Sequence, residues 1–302
     1  MHRRSFLRTA SLLGLVPFVP TTAWARTTRP MFLDADTANE IDDLFAIVRA
    51  LRAPMFDVVA VSSAQWNHRL SPPNTVELSQ ALNEDILRIL GRDDIPMPRG
   101  AEMIMGKPWG GEEPRNSPAA RLMIRMAKAM PEGERLDIVT LGAATNVSSA
   151  IKMAPEIIGK IRCHHLGGRY YPDRHVWDKD EFNLRNDLNA INYLFNTEGV
   201  EIHLMPINTL FDFKVKLDES IERLSGTSAI NDYLAAKWLA HDPSTPERIL
   251  WDLALIQAMI HPEKATTKRV MTPPENNQRE ITVYTKIDEA AFLADLWETL
   301  GV

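Results

Sequence analysis

Four aspartates and one glutamate fall within ten residues near the start of the chain: Asp34, Asp36, Glu40, Asp42 and Asp43. Carboxylates this close repel one another. A folded site holds several of them only by binding cations, sharing protons or staying wet. Oxygen ligands of this kind suit a hard divalent cation. The apolar run Met31-Phe32-Leu33 leads into Asp34 and Asp36, and Leu44, Ile47, Val48 and Leu51 follow at helical spacing. The stretch therefore reads as strand, acidic loop and helix N-terminus. First-turn acids that complement the helix dipole account for Asp42 or Asp43. They do not account for Asp34 and Asp36 at a strand end, and a metal or phosphoryl site covers the whole set.

Strands and helices alternate around this loop. Phe56 to Ser63 reads as a second strand running into the polar, aromatic stretch Ala64-Gln65-Trp66-Asn67-His68-Arg69. A helix is predicted over 72–90. The Pro- and Gly-rich residues 93–116 form a long loop of the kind often used as a lid. Ser117-Pro118 opens a helix through Met130. Leu136 to Leu141 is an apolar strand followed by Gly142-Ala143-Ala144-Thr145-Asn146 and a helix, and Ile161 to Leu166 is a strand ending in Gly167-Gly168. A polar loop carrying Tyr170, Tyr171, His175 and Trp177 leads to Glu181-Phe182-Asn183. A helix from Asp187 and a strand from Val200 to Pro206 come next, and residues 216–241 read as helical and amphipathic. Trp251-Asp252 opens an apolar helix, and a strand from Glu280 to Lys286 precedes a closing helix. The alternation indicates an α/β fold, a mostly parallel central sheet flanked by helices in one Rossmann-like domain over 26–302. Such sheets bind ligands at the carboxyl ends of their strands, where every polar cluster named here falls.

The first 25 residues read separately. Arg3-Arg4-Ser5-Phe6-Leu7-Arg8, an apolar run to about Val19 and Ala23-Trp24-Ala25 resemble a twin-arginine signal peptide with its cleavage site. The run is short and carries Pro17 and Pro20, which argues against a membrane span and for export by the twin-arginine machinery, with no stable membrane insertion after cleavage. The expected product is a soluble periplasmic protein, a homo-oligomer of two or four copies. Removing Arg3, Arg4 and Arg8 leaves 31 basic against 40 acidic residues, a net charge of −9 that excludes a general nucleic-acid binder. The single cysteine, Cys163, excludes an internal disulfide and reads as a buried, inert thiol.

Taken together, the clusters resemble the calcium-dependent nucleoside hydrolases, the inosine-uridine-preferring family, from residue 31 to about 263. Asp34, Asp36, Asp42 and Asp43 match the family's opening D-x-D…D-D, and Asn67 falls where its second strand ends in an Asn that touches the sugar. Gly142-Ala143-Ala144-Thr145-Asn146 is similar to its G-P-L-T-N segment, Leu166-Gly167-Gly168 to its M-G-G turn, and Glu181-Phe182-Asn183 to its E-F-N motif. Trp251-Asp252 sits where the family has His-Asp at a helix start. Three departures stand out. Asn39-Glu40 lengthens the acidic loop by two residues, Ala143 replaces a Pro, and Trp251 replaces the His that helps protonate the leaving base in purine-active members.

The resemblance implies hydrolysis of the N-glycosidic bond of a small-molecule riboside. It implies Ca²⁺ held by Asp36, Asp43, Asp252 and the Thr145 carbonyl, with Asp36 as the base that deprotonates water. It implies a sugar gripped by Asp42, Asn67, Glu181 and Asn183, with Leu166 and Trp251 completing the substrate pocket. His175 and His68, on loops expected at the mouth, are the candidates for the missing acid. Two other readings compete. Leu33-Asp34-Ala35-Asp36-Thr37 also fits the D-x-D-x-T motif of haloacid-dehalogenase-like phosphatases, in which Asp34 would be the nucleophile. An exported ribose- or nucleoside-binding protein that has lost turnover would keep the same pocket.

Overall fold

The computed structural model describes residues 28–302, so the leader and its cleavage site lie outside the described residues. In chain order the elements are β1 (Arg29–Ala35), α1 (Asp42–Leu51), β2 (Phe56–Ser63), α2 (Thr75–Ile89), α3 (Pro118–Ala129), β3 (Leu136–Thr140) and α4 (Thr145–Met153). These are followed by β4 (Ile161–Leu166), β5 (Arg169–Tyr171), β6 (Val176–Asp178), α5 (Phe182–Asn186), α6 (Leu188–Asn196) and β7 (Glu201–Met205). The last third holds β8 (Lys214–Lys216), α7 (Leu217–Leu224), α8 (Ala229–His241), β9 (Glu247–Ile249), α9 (Trp251–Ile260), β10 (Ala265–Met271), β11 (Glu280–Ile287) and α10 (Glu289–Leu300).

Seven strands form the central sheet in the order β10-β11-β7-β4-β3-β1-β2, all parallel except the edge strand β10. Helices cover both faces, and the pleat of β1 shows how. Met31, Leu33 and Ala35 join the core under α1, α9 and α10, whereas Phe32 joins the core under α3, α4 and α6. The chain leaves β1 for β2 on one side and places β3 on the other, so the acidic loop after β1 and the turn after β3 meet at a topological switch point.

Several parts of the chain differ from the sequence expectation, among them the short helix α5 at Phe182–Asn186. Residues 216–241 form two helices, because Gly226 takes a left-handed φ of 76° and Ser228 Oγ caps the second by accepting from Asn231 N. The hairpins β5–β6 and β8–β9 and the edge strand β10 carry little apolar periodicity; β10 is Thr266-Thr267-Lys268-Arg269 at its centre, the charged character that protects an exposed edge. The loop 93–116 is tied down rather than lid-like. Met105 is buried, its N–H donates to Asp187 Oδ2 at 2.8 Å, and Arg115 donates to the carbonyls of Ile104 and Gly106.

Candidate active site

The acidic loop, the ends of β3 and β4, the start of α5 and the start of α9 enclose one pocket. Asp36, Asp42, Asp43, Glu181, Asn183 and Asp252 supply its polar wall, with Leu141, Leu166 and Trp251 among its apolar groups. Its floor is the buried carboxylate cluster. Asp42, Asp43 and Asp252 each bring a carboxylate oxygen to within 4.8 Å of the others. Asp36 stands beside them, and its charge bears on both Asp43 and Asp252. Burial, and after it the mutual repulsion of these charges, pushes the carboxyls of Asp36, Asp43 and Asp252 well above the usual carboxylate range.

The backbone explains how four acids come together. Asp42 and Asp43 are the first two residues of α1, where the helix dipole favours them. Asp252 is the second residue of α9, which packs against α1, and its N–H donates to Asp42 Oδ2 at 3.1 Å. Gly142 leaves the room Asp36 occupies, since a Cβ there would lie 2.8 Å from the Asp36 Cγ. Asp36 Oδ2, Asp43 Oδ1 and Asp252 Oδ1 are buried without a hydrogen-bond partner. Orphaned oxygens on three buried carboxylates of one pocket would be strongly unfavourable on their own, and they have the chemistry of a divalent-cation site.

The other wall is a hydrogen-bonded frame. Glu181 Oε2 accepts from the N–H groups of Gly168 (2.8 Å) and Leu184 (3.2 Å), and Oε1 accepts from Asn183 N. Asn183 Nδ2 donates to the carbonyls of Leu141 and Leu166 at 2.6 and 3.2 Å, joining the ends of β3 and β4. Its Oδ1 remains to accept from a ligand. Gly167 is required here, because a Cβ would meet Leu184 at 2.5 Å and Glu181 Oε2 at 2.9 Å.

Two of the residues singled out in the sequence, Asn67 and His175, lie elsewhere, and the side chain of a third, Thr145, is engaged outside the pocket. Asn67 is exposed: its N–H is drawn to Asn186 Oδ1 at 2.7 Å and its Oδ1 accepts from Ser71, so it does not line the pocket. His175 sits at the β5–β6 turn with a φ of 52° and its Nδ1 3.2 Å from the Tyr170 hydroxyl, in a separate groove against β10. The hairpin leans that way because Trp177 Nε1 donates to the Met271 carbonyl. Thr145 is buried outside the pocket lining, with its hydroxyl donating to Asp187 Oδ2 at 2.6 Å.

Asp34 also stands apart. It is wholly buried, accepts from Ser62 Oγ and Asn146 Nδ2, and is absent from the pocket wall. Burial pushes its carboxyl up to about 6. This placement gives no access to a phosphoryl group and removes the support for the phosphatase reading. Conversely, Arg169, Asp180 and Arg185 line the pocket without having been singled out, and Glu40, counted with the acidic cluster but given no role, lines it too. Charged loop residues look like solvated surface in a sequence. Only the two-residue lengthening at Asn39-Glu40 signalled one of them, and the structure shows Arg248 holding Glu40 at 3.3 Å.

Residues 31–294 match the model of the inosine-uridine preferring nucleoside hydrolase family, and the chain belongs to that family. Among curated proteins it is 28% identical to a probable uridine nucleosidase of Arabidopsis thaliana, over 66% of this chain and 66% of that one. It is 29% identical to a pyrimidine-specific ribonucleoside hydrolase of Shewanella woodyi, over 65% of each. The chain thus spans slightly less than two thirds of the length of these two relatives. Among solved structures, an inosine-uridine preferring nucleoside hydrolase from Bacillus anthracis superposes with a TM-score of 0.70 at 15% identity, covering 90% of this chain and 99% of that one. A plant nucleoside hydrolase gives the same score at 19% identity, covering 90% and 98%. At these identities the two structures establish the shared fold.

Proposed function

We propose that this chain hydrolyses the N-glycosidic bond of a riboside, releasing ribose and the free base, with Ca²⁺ as its cofactor. The observation that carries this reading is the set of orphaned, buried oxygens on Asp36, Asp43 and Asp252 at the floor of a ligand-sized pocket. Family membership and the names of the relatives from Arabidopsis and Shewanella support the bond type. Asp43 and Asp252, grouped with Asp42 at the floor, would hold the cation together with the neighbouring Asp36. The Thr145 carbonyl is the further ligand that the family resemblance supplies. Bound there, the cation acidifies a water and neutralises charge on the floor.

This chain's residues supply the rest. Asp36 accepts the proton of the attacking water as a new bond forms at C1′. Asp42 and Asn183 accept from ribose hydroxyls, and Glu181, fixed by three backbone donors, places its negative charge beside an oxocarbenium-like sugar. Trp251, half-buried at the start of α9, offers its face to the base. The test is a reducing-sugar assay over a panel of ribosides with and without Ca²⁺. Calcium-dependent release of ribose is expected, and full activity in metal-stripped protein would sink the reading.

Export is part of the same proposal: passage through the twin-arginine machinery, cleavage after Ala25, and a periplasmic homo-oligomer of two or four copies. The Arg3-Arg4 leader motif supports it. Among the described residues no helix is long and apolar enough to cross a membrane. Arg3→Lys with Arg4→Lys should hold the protein in the cytoplasm, and mass spectrometry of the periplasmic form should find Arg26 first.

A further inference from the structure

We propose that the aglycone side of this pocket is built for a riboside whose leaving group already carries a positive charge, an N-ribosylpyridinium or another quaternised base. This rests on the hydrolase reading above and adds the substrate class. The first observation is what the wall lacks. A neutral base leaves easily only when an acid protonates it, yet among the described residues no His, Lys, Tyr or Cys lines the pocket; the remaining acids are carboxyls, those of the floor committed to a cation and Glu40 facing Arg248 at 3.3 Å. Trp251 stands where the family resemblance has a histidine, and an indole N–H does not give up its proton at neutral pH. Of the two candidate acids, His175 lies in the groove against β10, and His68 is exposed outside the lining, stacked on Trp66 at 5.4 Å with its ring 6.4 Å from that of Phe182.

The second observation is charge. Seven carboxylates line the pocket, Asp36, Glu40, Asp42, Asp43, Asp180, Glu181 and Asp252, against two guanidiniums, Arg169 and Arg185. Both guanidiniums are already engaged, Arg169 with Asp178 at 2.9 Å and Arg185 with Asp180 at 2.9 Å. One divalent cation therefore leaves a formal balance of −3, and counting Arg248 behind Glu40 keeps it negative. The third observation is aromatic. Trp251 carries Phe211 edge-on at 6.1 Å, and Phe182 also lines the cavity. Indole is the best of the aromatic faces for a cation.

A cationic leaving group makes the missing acid unnecessary. The C1′–N bond breaks and its electron pair goes to the ring nitrogen, which turns the pyridinium into a neutral pyridine. The water oxygen bonds to C1′, and its proton passes to Asp36. Nothing is protonated on the leaving side, and atoms and charge balance.

The test uses the Ca²⁺-loaded protein with N-ribosylnicotinamide, uridine and inosine as substrates. A positioned acid is ordinarily worth about 10²–10⁴-fold, so kcat/KM for the pyridinium riboside should exceed that for both neutral nucleosides by at least ~10²-fold. Trp251→Leu should lower the pyridinium value by about 3- to 30-fold. In Asp36→Asn, calorimetry should show N-ribosylnicotinamide binding several-fold more tightly than its neutral dihydropyridine form, which has nearly the same shape. Uridine or inosine cleaved as fast as the pyridinium riboside overturns this inference and leaves the hydrolase reading standing. Release of ribose from none of the three, with the cation still bound preferentially, overturns the hydrolase reading and keeps the recognition of charge. No release and no preference overturns both.

Discussion

Both ends of the central sheet bury carboxylates, and they do so in opposite ways. At the amino end of β3, Asp137 is almost fully buried. Burial alone would raise its carboxyl, but His164, Arg29 and Arg162 surround it and hold it below the usual range. Arg162 and His203 then share Glu201 at 2.6 and 2.8 Å, so the charges at this end cancel within the fold. At the carboxyl ends, Asp36, Asp43 and Asp252 are equally buried, have no basic partner on the cluster and keep three oxygens orphaned. Asp34 is intermediate, with two neutral donors and a carboxyl at about 6. Burial therefore does not mark a site. A buried charge balanced by the chain itself is architecture, and one left unbalanced is waiting for something from outside.

The sharpest way to separate the two ends is to neutralise one acid at each. Asp36→Asn should lower kcat by at least ~10³-fold, about 4 kcal/mol of transition-state stabilisation, with a melting temperature close to wild type. Loss of activity with Asp34→Asn instead would move the chemistry to the wrong side of β1. At the other end, Asp137→Ala should cost about 3 kcal/mol of stability, read by urea denaturation. This is the low end for breaking a buried ion pair, because the Arg29 side chain is 43% exposed and can reach water. The folded fraction should hydrolyse its substrate normally, and a catalytic defect there would erase the distinction.

Ca²⁺ should act on one end only. At a hundredfold excess over Kd it should stabilise the protein by about 2.7 kcal/mol, and Asp252→Ala should remove the effect. The dependence on pH follows from the raised carboxyls. In chelated protein Asp36, Asp43 and Asp252 have folded pKa values above the unfolded ~3.9, so their contribution is fully present below that value and lost as pH rises through the folded ones. The calcium-loaded protein requires them ionised. The difference in melting temperature between loaded and chelated samples should therefore grow from pH 5 to pH 8. His164 and His165, whose rings burial pushes down to about 4, destabilise both samples alike as pH falls below 6.5 and drop out of the difference. A difference that is flat across this range would show that the cluster is not where Ca²⁺ binds.

How much of this was legible in the sequence depends on the kind of signal. Short apolar-rich runs bounded by loop residues made β1, β2, β3, β4 and β7 and most of the helices between them readable, and with them the carboxyl-end location of the site; the short helix α5 was not. Asp36 was readable because an acid at the end of an apolar run has no ready structural explanation, and Asp42, Asp43 and Asp252, which a helix dipole alone would account for, were readable through their place in the family's motifs. Cys163 met its expectation as well: it is buried on β4, and burial pushes its thiol up to about 12. Asn67 was placed by counting along the chain past β2, and counting cannot foresee that Asn186 captures its backbone N–H. Glu40 was legible as one of the five clustered acids but not its pairing with Arg248, and Arg169 and Arg185 were illegible because a loop charge paired with a near neighbour, Asp178 or Asp180, looks in the sequence like solvated surface.

The smallest effect belongs to His175. As part of a polar loop before Glu181 it is a candidate acid in the sequence, and if it were the acid, His175→Ala would damage nucleoside hydrolysis and spare an activated ester. The structure puts it at the turn of a hairpin that leans toward β10, with Tyr170 and Trp177 rather than the carboxylates around it. His175→Ala and His175→Gly should therefore change kcat/KM by less than about twofold for neutral and activated ribosides alike, p-nitrophenyl riboside included; a proton donor would be worth about 10²-fold or more for the neutral ones. Stability should separate the two variants. At a φ of 52° glycine is at ease and alanine is not, so His175→Gly should melt at or slightly above His175→Ala, by up to about 1 kcal/mol. A large kinetic defect in His175→Gly, seen with inosine and absent with the activated ester, would place a proton donor at this turn and bring the hairpin into the active site.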